Sequence, residues 1–90
     1  MNIRWTEEAT TSLEQISLYI AEDSVEVAFK TINSIYGRIE QLSSLPSRGR
    51  PGREQGTREL ALSPMPYIVT YRIRESTVEI LQIWHGAQDR

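Results

Sequence analysis

Two stretches of helical periodicity follow each other with almost no chain between them. Apolar residues recur every three or four positions over residues 9–20 and again over residues 28–42. This spacing places each set on one face of an α-helix. We therefore predict helices over residues 6–22 and 24–44, joined by a residue or two. Such a short connection folds the helices into an antiparallel hairpin, whose two apolar faces need a third surface to cover.

The starts of both helices carry their own signals. Thr6 has the side chain of an N-cap for the first helix, and Glu7 and Glu8 follow in the first turn, where the helix dipole favours acidic residues. Asp23 and Glu26 have the spacing of a capping box for the second helix. The sequence thus predicts where each helix begins.

Short β-strands supply the third surface. Residues 2–5 alternate between polar and apolar and predict a first strand, before the helices. After a loop rich in Gly and Pro, residues 57–62, 67–73 and 78–84 have the alternation or the β-branched and aromatic content of strands. We therefore predict a single α+β domain over residues 1–90. Its order is β-α-α-β-β-β, with a helical hairpin packed on one face of a small, mainly antiparallel sheet.

Strict alternation also assigns the faces of the last two strands, because successive side chains of a strand point to opposite sides. In the last strand, one face carries Leu81, Ile83 and His85, and the other carries Ile80, Gln82 and Trp84. In the strand before it, Tyr67 and Tyr71 share a face, so we expect them to pack rather than to act as catalytic phenols.

The bulk composition argues against several classes of protein. The chain has no cysteine and a single histidine, so we expect neither a zinc site nor a cofactor. Small secreted domains usually carry disulfides, and the N-terminus lacks the pattern of a signal peptide. There is also no apolar run of the roughly 20 residues that span a bilayer. We therefore expect a cytoplasmic protein with no membrane partner.

Positive charge is concentrated in the second half of the sequence. Residues 1–45 hold three basic and seven acidic residues, whereas residues 46–90 hold seven basic and five acidic ones, within a net charge of −2. Lys30 is the single lysine. The other basic residues are arginines, whose planar guanidinium suits bidentate contact with phosphate or carboxylate. The acidic average argues against general binding to nucleic-acid backbones.

The Gly/Pro loop, residues 46–56, carries three of these arginines, Arg48, Arg50 and Arg53. Glycine lets a backbone approach a ligand closely, so the loop is a candidate for contact with a target or with RNA. The alternative is a solvated turn whose arginines pair with the acidic helices. The loop does not have the Walker pattern of a nucleotide-binding loop.

Three further residues are candidates for chemistry. Arg58 and Arg72 lie within neighbouring predicted strands, where an arginine needs a partner or solvent. Either Arg58 pairs with a carboxylate such as Glu79, or the arginines form an exposed cationic face of the sheet. His85 either bonds locally at the end of the last strand or acts as a general acid or base, since histidine titrates near neutral pH.

Five segments in order form a recognisable set: ATTSLEQISLYIAEDS at residues 9–24, AFKTINSIYGRIEQLSSLPSRGRPG at 28–52, GRPGREQGTREL at 49–60, PYIVTYRI at 66–73 and VEILQIWHGAQ at 78–88. Together they resemble the RelE/ParE superfamily of toxins from bacterial type II toxin–antitoxin modules. The resemblance covers essentially the whole chain. It implies the same β-α-α-β-β-β fold that the periodicity predicts.

The resemblance implies a toxin that a cognate antitoxin neutralises by wrapping it with a helix and an extended segment. RelE-like members cut mRNA in the ribosomal A site, whereas ParE-like members inhibit DNA gyrase. The sequences of the segments GTREL, PYIVTYR and HGAQ are more similar to the ParE branch, so we expect a gyrase inhibitor. A non-toxic binding module with the same fold is a third class, and an antitoxin gene immediately upstream would argue against it.

For a RelE-like nuclease, the resemblance implies that Arg58 and Arg72 stabilise the phosphate and that His85 transfers a proton. Arg50 and Arg53 would then contact RNA. Two departures weigh against this reading. RelE-type nucleases are strongly basic, whereas this chain has an isoelectric point of about 5.4. Its C-terminal HGAQDR also lacks the tyrosine of the RelE catalytic set.

Overall fold

The computed structural model of the chain describes residues 1–87, so the predictions that fall on residues 88–90 lie outside it. These predictions are the end of the resembling segment VEILQIWHGAQ, at residue 88, and the departure noted for the C-terminal HGAQDR. The strands are β1 (Asn2–Trp5), β2 (Arg50–Pro51), β3 (Arg58–Ala61), β4 (Tyr67–Arg74) and β5 (Thr77–His85). The helices are α1 (Glu7–Ala21) and α2 (Val25–Glu40), and a single 3-10 turn follows at Gln41–Ser43.

In the described part of the chain, five strands form one sheet in the order β1-β5-β4-β3-β2. β1 runs parallel to β5, with Ile3 opposite Val78, and the other neighbours are antiparallel. The predicted α+β architecture with a mainly antiparallel sheet is therefore confirmed. β2 is an addition to the prediction, because two residues of the Gly/Pro loop pair with β3.

Both helices begin at side-chain caps, but only the first is the predicted one. The Thr6 hydroxyl accepts a hydrogen bond from the Ala9 N–H at 3.1 Å. The cap of α2 is Ser24, whose hydroxyl accepts from the Val27 N–H at 3.1 Å. The prediction of Asp23 as the cap is wrong, because the residue with extended backbone just before the helix is Ser24, at φ −157°. α2 also ends earlier than predicted, where the chain tightens into the 3-10 turn.

The hydrophobic core lies between the helical hairpin and one face of the sheet, here called the helix face. Its largest fully buried side chain is that of Tyr71. The core joins Ala9, Leu13, Ile35, Ile39 and Leu42 of the helical side to Leu60, Val69, Tyr71, Val78, Ile80 and Ile83 of the sheet. The helices of residues 1–87 are too short or too polar to cross a membrane.

A bulge changes the faces of β5. Ile80 lies opposite Tyr71 and Gln82 lies opposite Thr70, so the register shifts between these two pairs. The extra residue on β5 turns Ile80 to the same side as Ile83, and both belong to the core. The prediction that these two residues face opposite sides is wrong, because a bulge resets the alternation of a strand.

Candidate functional site

The face of the sheet that points away from the helices, here called the open face, carries an ion-paired cluster. The Glu79 carboxylate accepts hydrogen bonds from Arg4 on one side and from Arg72 Nε, at 2.6 Å, on the other. The three residues meet because β5 lies between β1 and β4. The Glu79 side chain is 9% exposed, whereas those of Arg4 and Arg72 are 57% and 41% exposed. The buried carboxylate thus holds two guanidiniums whose outer edges stay in solvent.

The cluster also fixes the charge of its carboxylate. The hydrogen bonds from Arg4 and then Arg72 lower the pKa of Glu79 to about 2, although burial acts in the opposite direction. Glu79 is therefore ionised at neutral pH, and the cluster carries one net positive charge. A second carboxylate from a partner can reach the exposed edges of the two guanidiniums.

A second buried carboxylate, Glu59 on β3, fastens the Gly/Pro loop beside this face. Its Oε2 accepts from the Arg53 N–H at 3.2 Å, and its Oε1 lies 3.5 Å from Arg50 Nη2. The Arg50 side chain is 70% exposed. Arg48 lies apart from these two, with its Nη1 donating to Gln41 Oε1 at 3.3 Å. The structure therefore brings Arg50 and Arg53 together at Glu59 and leaves Arg48 beside the end of α2.

Arg58 lies on the helix face, because it is opposite Tyr71, which belongs to the core. Arg58 Nη1 donates to the carbonyl oxygens of Ser47 at 3.2 Å and Gly49 at 2.9 Å. The Tyr71 hydroxyl donates to the Pro46 carbonyl at 2.7 Å and accepts from the Gly49 N–H at 2.8 Å. These two side chains hold the start of the Gly/Pro loop against the sheet.

The suggested ion pair between Arg58 and Glu79 is therefore wrong. Glu79 lies opposite Arg72, and Arg58 lies opposite Tyr71. Because neighbouring residues of a strand point to opposite faces, Arg58 and Glu79 lie on different sides of the sheet. Arg72 and Arg4 take the place that Arg58 was expected to fill.

A groove of about 390 Å³ runs between α1 and the end of β5. β1 ends opposite Ile80, so the last part of β5 continues beyond its parallel neighbour. α1 lies beside this exposed edge, where the Ser12 hydroxyl accepts a hydrogen bond from the Ile83 N–H at 3.0 Å. The walls of the groove include Gln15, Ile16, Tyr19, Tyr67 and His85.

His85 sits at the mouth of this groove. Its ring packs at about a right angle to the Tyr67 ring, with 5.6 Å between ring centres. Its Nδ1 accepts from the Ala87 N–H at 3.0 Å, which places the proton of the neutral imidazole on Nε2. Burial, reinforced by the nearby Tyr19, raises the pKa of the Tyr67 phenol, so this group stays protonated at neutral pH.

Arg58, Arg72 and His85, the three candidates for chemistry, do not form one site. Arg58 and His85 lie on the helix face, opposite Tyr71 and Tyr67, whereas Arg72 lies on the open face. Tyr67, which lies opposite His85, is also five positions from Arg72 along β4. Five positions along a strand correspond to about 17 Å. One phosphate group therefore cannot touch all three side chains in this arrangement.

Sequence reasoning did not find Arg4, the third member of the cluster at Glu79. Alternation separates Arg4 from Ile3 and Trp5, so its exposure on the open face follows from the sequence. Its proximity to Glu79 does not follow, because it depends on parallel pairing between the first and last strands. Among residues 1–87, no group of three or more His, Cys, Asp or Glu side chains is placed to hold a metal ion.

Comparison with known proteins agrees with this architecture. The sequence pattern of the family described as "ParE toxin of type II toxin-antitoxin system, parDE" matches residues 3–90. The toxin Y4kP of Sinorhizobium fredii is 42% identical over 86 residues, which cover 96% of this chain and 88% of that protein. The chain therefore belongs to the ParE toxin family of type II toxin–antitoxin systems, and the resemblance to the RelE/ParE superfamily is confirmed.

Two solved structures share the fold. A structure of the chromosomal ParDE system from P. aeruginosa superposes with a TM-score of 0.86 at 27% identity, over 94% of this chain and 95% of that chain. The toxin–antitoxin complex RelBE2 from Mycobacterium tuberculosis gives a TM-score of 0.61 at 30% identity, over 97% and 92%. The backbone is thus more similar to the ParDE structure than to the RelBE2 structure.

Proposed function

We propose that the chain is a ParE-like toxin that inhibits DNA gyrase and is kept inactive by an antitoxin. The observation that carries this proposal is the separation of Arg58, Arg72 and His85. Cleavage of RNA by its own 2′-hydroxyl needs a proton carrier and cations around the same phosphate. Here Arg58 binds loop carbonyls, Arg72 binds a buried carboxylate on the other face, and His85 bonds locally. A toxin that binds a protein target does not need these groups to converge.

The open face and the groove are the surfaces that we assign to the antitoxin. Both solved neighbours are described as toxin–antitoxin systems or complexes. The exposed edges of Arg4, Arg50 and Arg72 suit an acidic segment. The groove beside the uncovered end of β5 suits a helix or an extended peptide with apolar side chains. An antitoxin that binds both surfaces would wrap around the sheet.

The test compares the two target classes with the same purified protein. We expect it to inhibit supercoiling of a relaxed plasmid by purified gyrase, and to leave mRNA intact on programmed ribosomes. Heat-denatured protein is the control for contaminating nuclease or topoisomerase. Cleaved mRNA with normal supercoiling would overturn the proposal, and no effect in either reaction would favour a non-toxic binding module.

A ribosome-dependent mRNA endonuclease of RelE type is the second candidate. It is supported by the likeness to the RelBE2 complex. If mRNA is cleaved, His85→Ala should slow the cleavage by about 10²–10⁴-fold, the contribution of general acid–base catalysis. Arg72→Ala should also slow it, because a guanidinium stabilises the charge that develops on the phosphate. Cleavage that survives both changes would place the chemistry on other residues.

A further inference from the structure

The outer end of the helical hairpin exposes apolar side chains that the fold does not use. Leu18, Val25 and Phe29 are 70%, 74% and 70% exposed. They lie on both sides of the turn between α1 and α2, and we call this surface the hairpin tip. Single exposed apolar residues are common on proteins, but several together mark an interaction site.

Helix geometry places these three residues at the same end of the hairpin. Val25 and Phe29 are four positions apart on α2, so they are neighbours on one helix surface. Leu18 and Phe29 lie at similar distances from the turn in an antiparallel hairpin, which places them about level with each other. Leu18 is two positions from both Ile16 and Ile20, which pack against the core, so it lies on the outer side of the hairpin.

The hairpin tip is surrounded by negative charge. Glu22 and Asp23 form the turn, and Glu26 follows in the first turn of α2. The cation nearby is Lys30, 3.6 Å from Glu26, and both side chains are more than 70% exposed. Glu22 also stands at the C-cap of α1, where the negative end of the helix dipole disfavours an acidic residue. Glu22 therefore does not stabilise α1 through the helix dipole.

These charges restrict what can cover the hairpin tip. Nucleic acid is repelled, because its phosphates would meet the acidic rim. A second copy of this chain is disfavoured, since a two-fold interface would bring the same acidic residues together. An acidic antitoxin segment suits the arginines of the open face rather than this surface. The complementary partner presents apolar side chains flanked by Lys or Arg.

We propose that the hairpin tip binds the protein target of the toxin, through a basic amphipathic helix on that target. The inference rests on the proposed function, because it assigns the hairpin tip to the target of a toxin that acts by binding a protein. Leu18, Val25 and Phe29 supply the apolar contact, and Glu22 and Glu26 supply the charge that selects a basic partner. The basic open face assigned to the antitoxin and the acidic hairpin tip assigned to the target are then separate surfaces of opposite charge.

The direct probe is a pair of synthetic helical peptides of about 18 residues, with Leu at helical spacing and either Lys or Glu at the other positions. By fluorescence anisotropy, we expect the Lys peptide to bind and the Glu peptide not to bind. The double variant Leu18→Ser/Phe29→Ser should bind the Lys peptide at least about tenfold more weakly. Leu45→Ser is the matched control, because Leu45 is 57% exposed and follows the far end of α2.

Charge gives an independent readout. Glu22→Gln should weaken the binding of the Lys peptide and flatten its salt dependence, while the midpoint of thermal unfolding stays the same or rises. A merely structural role for Glu22 would lower the unfolding midpoint instead. Equal binding of the Lys and Glu peptides, or equal affinities of the wild type and the double variant, would overturn the inference.

Growth inhibition separates this inference from the proposed function. The wild type and Leu45→Ser, expressed without antitoxin, should reduce plating, and Leu18→Ser/Phe29→Ser should restore it at an equal level of folded protein. A wild type that does not inhibit growth would contradict the proposed function, whatever the peptides show. A wild type and a double variant that inhibit growth equally would contradict the inference alone.

Discussion

The open face of the sheet and the hairpin tip treat charge in opposite ways. On the sheet, buried carboxylates are held by arginines, as Glu79 is by Arg4 and Arg72. At the hairpin tip, acidic residues lie beside exposed apolar side chains, and the ion pair there joins two highly exposed groups. An exposed pair of this kind contributes little to stability. The comparison teaches that the arginines of the sheet stabilise the fold as well as facing a partner, whereas the apolar side chains of the hairpin tip are left for a partner alone.

The largest effect that tests this contrast is expected at Gly49. A Cβ at this position would lie 2.7 Å from the Tyr71 hydroxyl and 3.0 Å from the Glu59 carbonyl oxygen. Gly49→Ala should therefore lower the free energy of unfolding by about 3 kcal/mol. Gly37→Ala is the matched control, since nothing lies within 4 Å of the added Cβ on the exposed side of α2. It should raise stability by about 0.5–1 kcal/mol.

Urea unfolding of the two glycine variants and the wild type measures both effects. The expected result is a shift in opposite directions from the wild type. If Gly49→Ala were as stable as Gly37→Ala, the Gly/Pro loop would not be held against the sheet as described.

The next effect is expected at the hydroxyl of Tyr71. Tyr71→Phe removes the acceptor for the buried Gly49 N–H and the donor to the Pro46 carbonyl. The free energy of unfolding should fall by about 2 kcal/mol, because a buried N–H loses its partner. Tyr36→Phe, on a ring that is 43% exposed, should change it by less than about 0.5 kcal/mol. Equal effects of the two changes in urea unfolding would show that the Tyr71 hydroxyl does not hold the loop.

Much of the fold follows from local features of the sequence. The spacing of apolar residues predicts the two helices. The Thr6 cap follows from the presence of a threonine directly before the first helix. The face of Arg58 also follows from alternation with Leu60. These features depend on residues that are close together in the chain, where period and capping chemistry are direct signals.

The features that were missed depend on contacts between distant residues. The bulge that turns Ile80 towards the core is set by how β5 pairs with β4, and nothing in the alternating sequence marks it. The partners of Glu79 depend on the parallel pairing of β1 with β5. The wrong pairing of Arg58 with Glu79 has this cause, because charge alone does not say which arginine reaches a buried carboxylate.

The pH dependence of stability tests the cluster at Glu79. Its pKa is lowered from 4.5 to about 2 in the folded protein. On lowering the pH, the unfolded chain therefore takes up the proton first. The stabilisation by Glu79 should be fully present above pH 4.5 and should be lost as the pH falls towards 2. We expect the difference in free energy of unfolding between the wild type and Glu79→Gln to shrink over this range.

The control for this titration removes the arginines. In the background Arg4→Gln/Arg72→Gln, adding Glu79→Gln should no longer produce a pH-dependent difference in that range. A difference that persists without the arginines would assign the lowered pKa of Glu79 to another cause.

The smallest effect on stability is expected at the hairpin tip. Leu18→Ser/Phe29→Ser should change the free energy of unfolding by less than about 0.5 kcal/mol, because both side chains are 70% exposed. Circular dichroism during urea unfolding measures it beside the glycine variants. A loss as large as that of Gly49→Ala would mean that the hairpin tip supports the fold and is not reserved for a partner.

The central claim is that the toxin acts by binding a protein through its hairpin tip, and not by cutting RNA with its arginines and histidine. The most direct test is growth inhibition by His85→Ala and by Leu18→Ser/Phe29→Ser, compared in one host at equal levels of folded protein. Both changes are at exposed positions, so neither should unfold the chain. We expect His85→Ala to inhibit growth like the wild type and the double variant to be harmless. A harmless His85→Ala beside a fully toxic double variant would contradict the account.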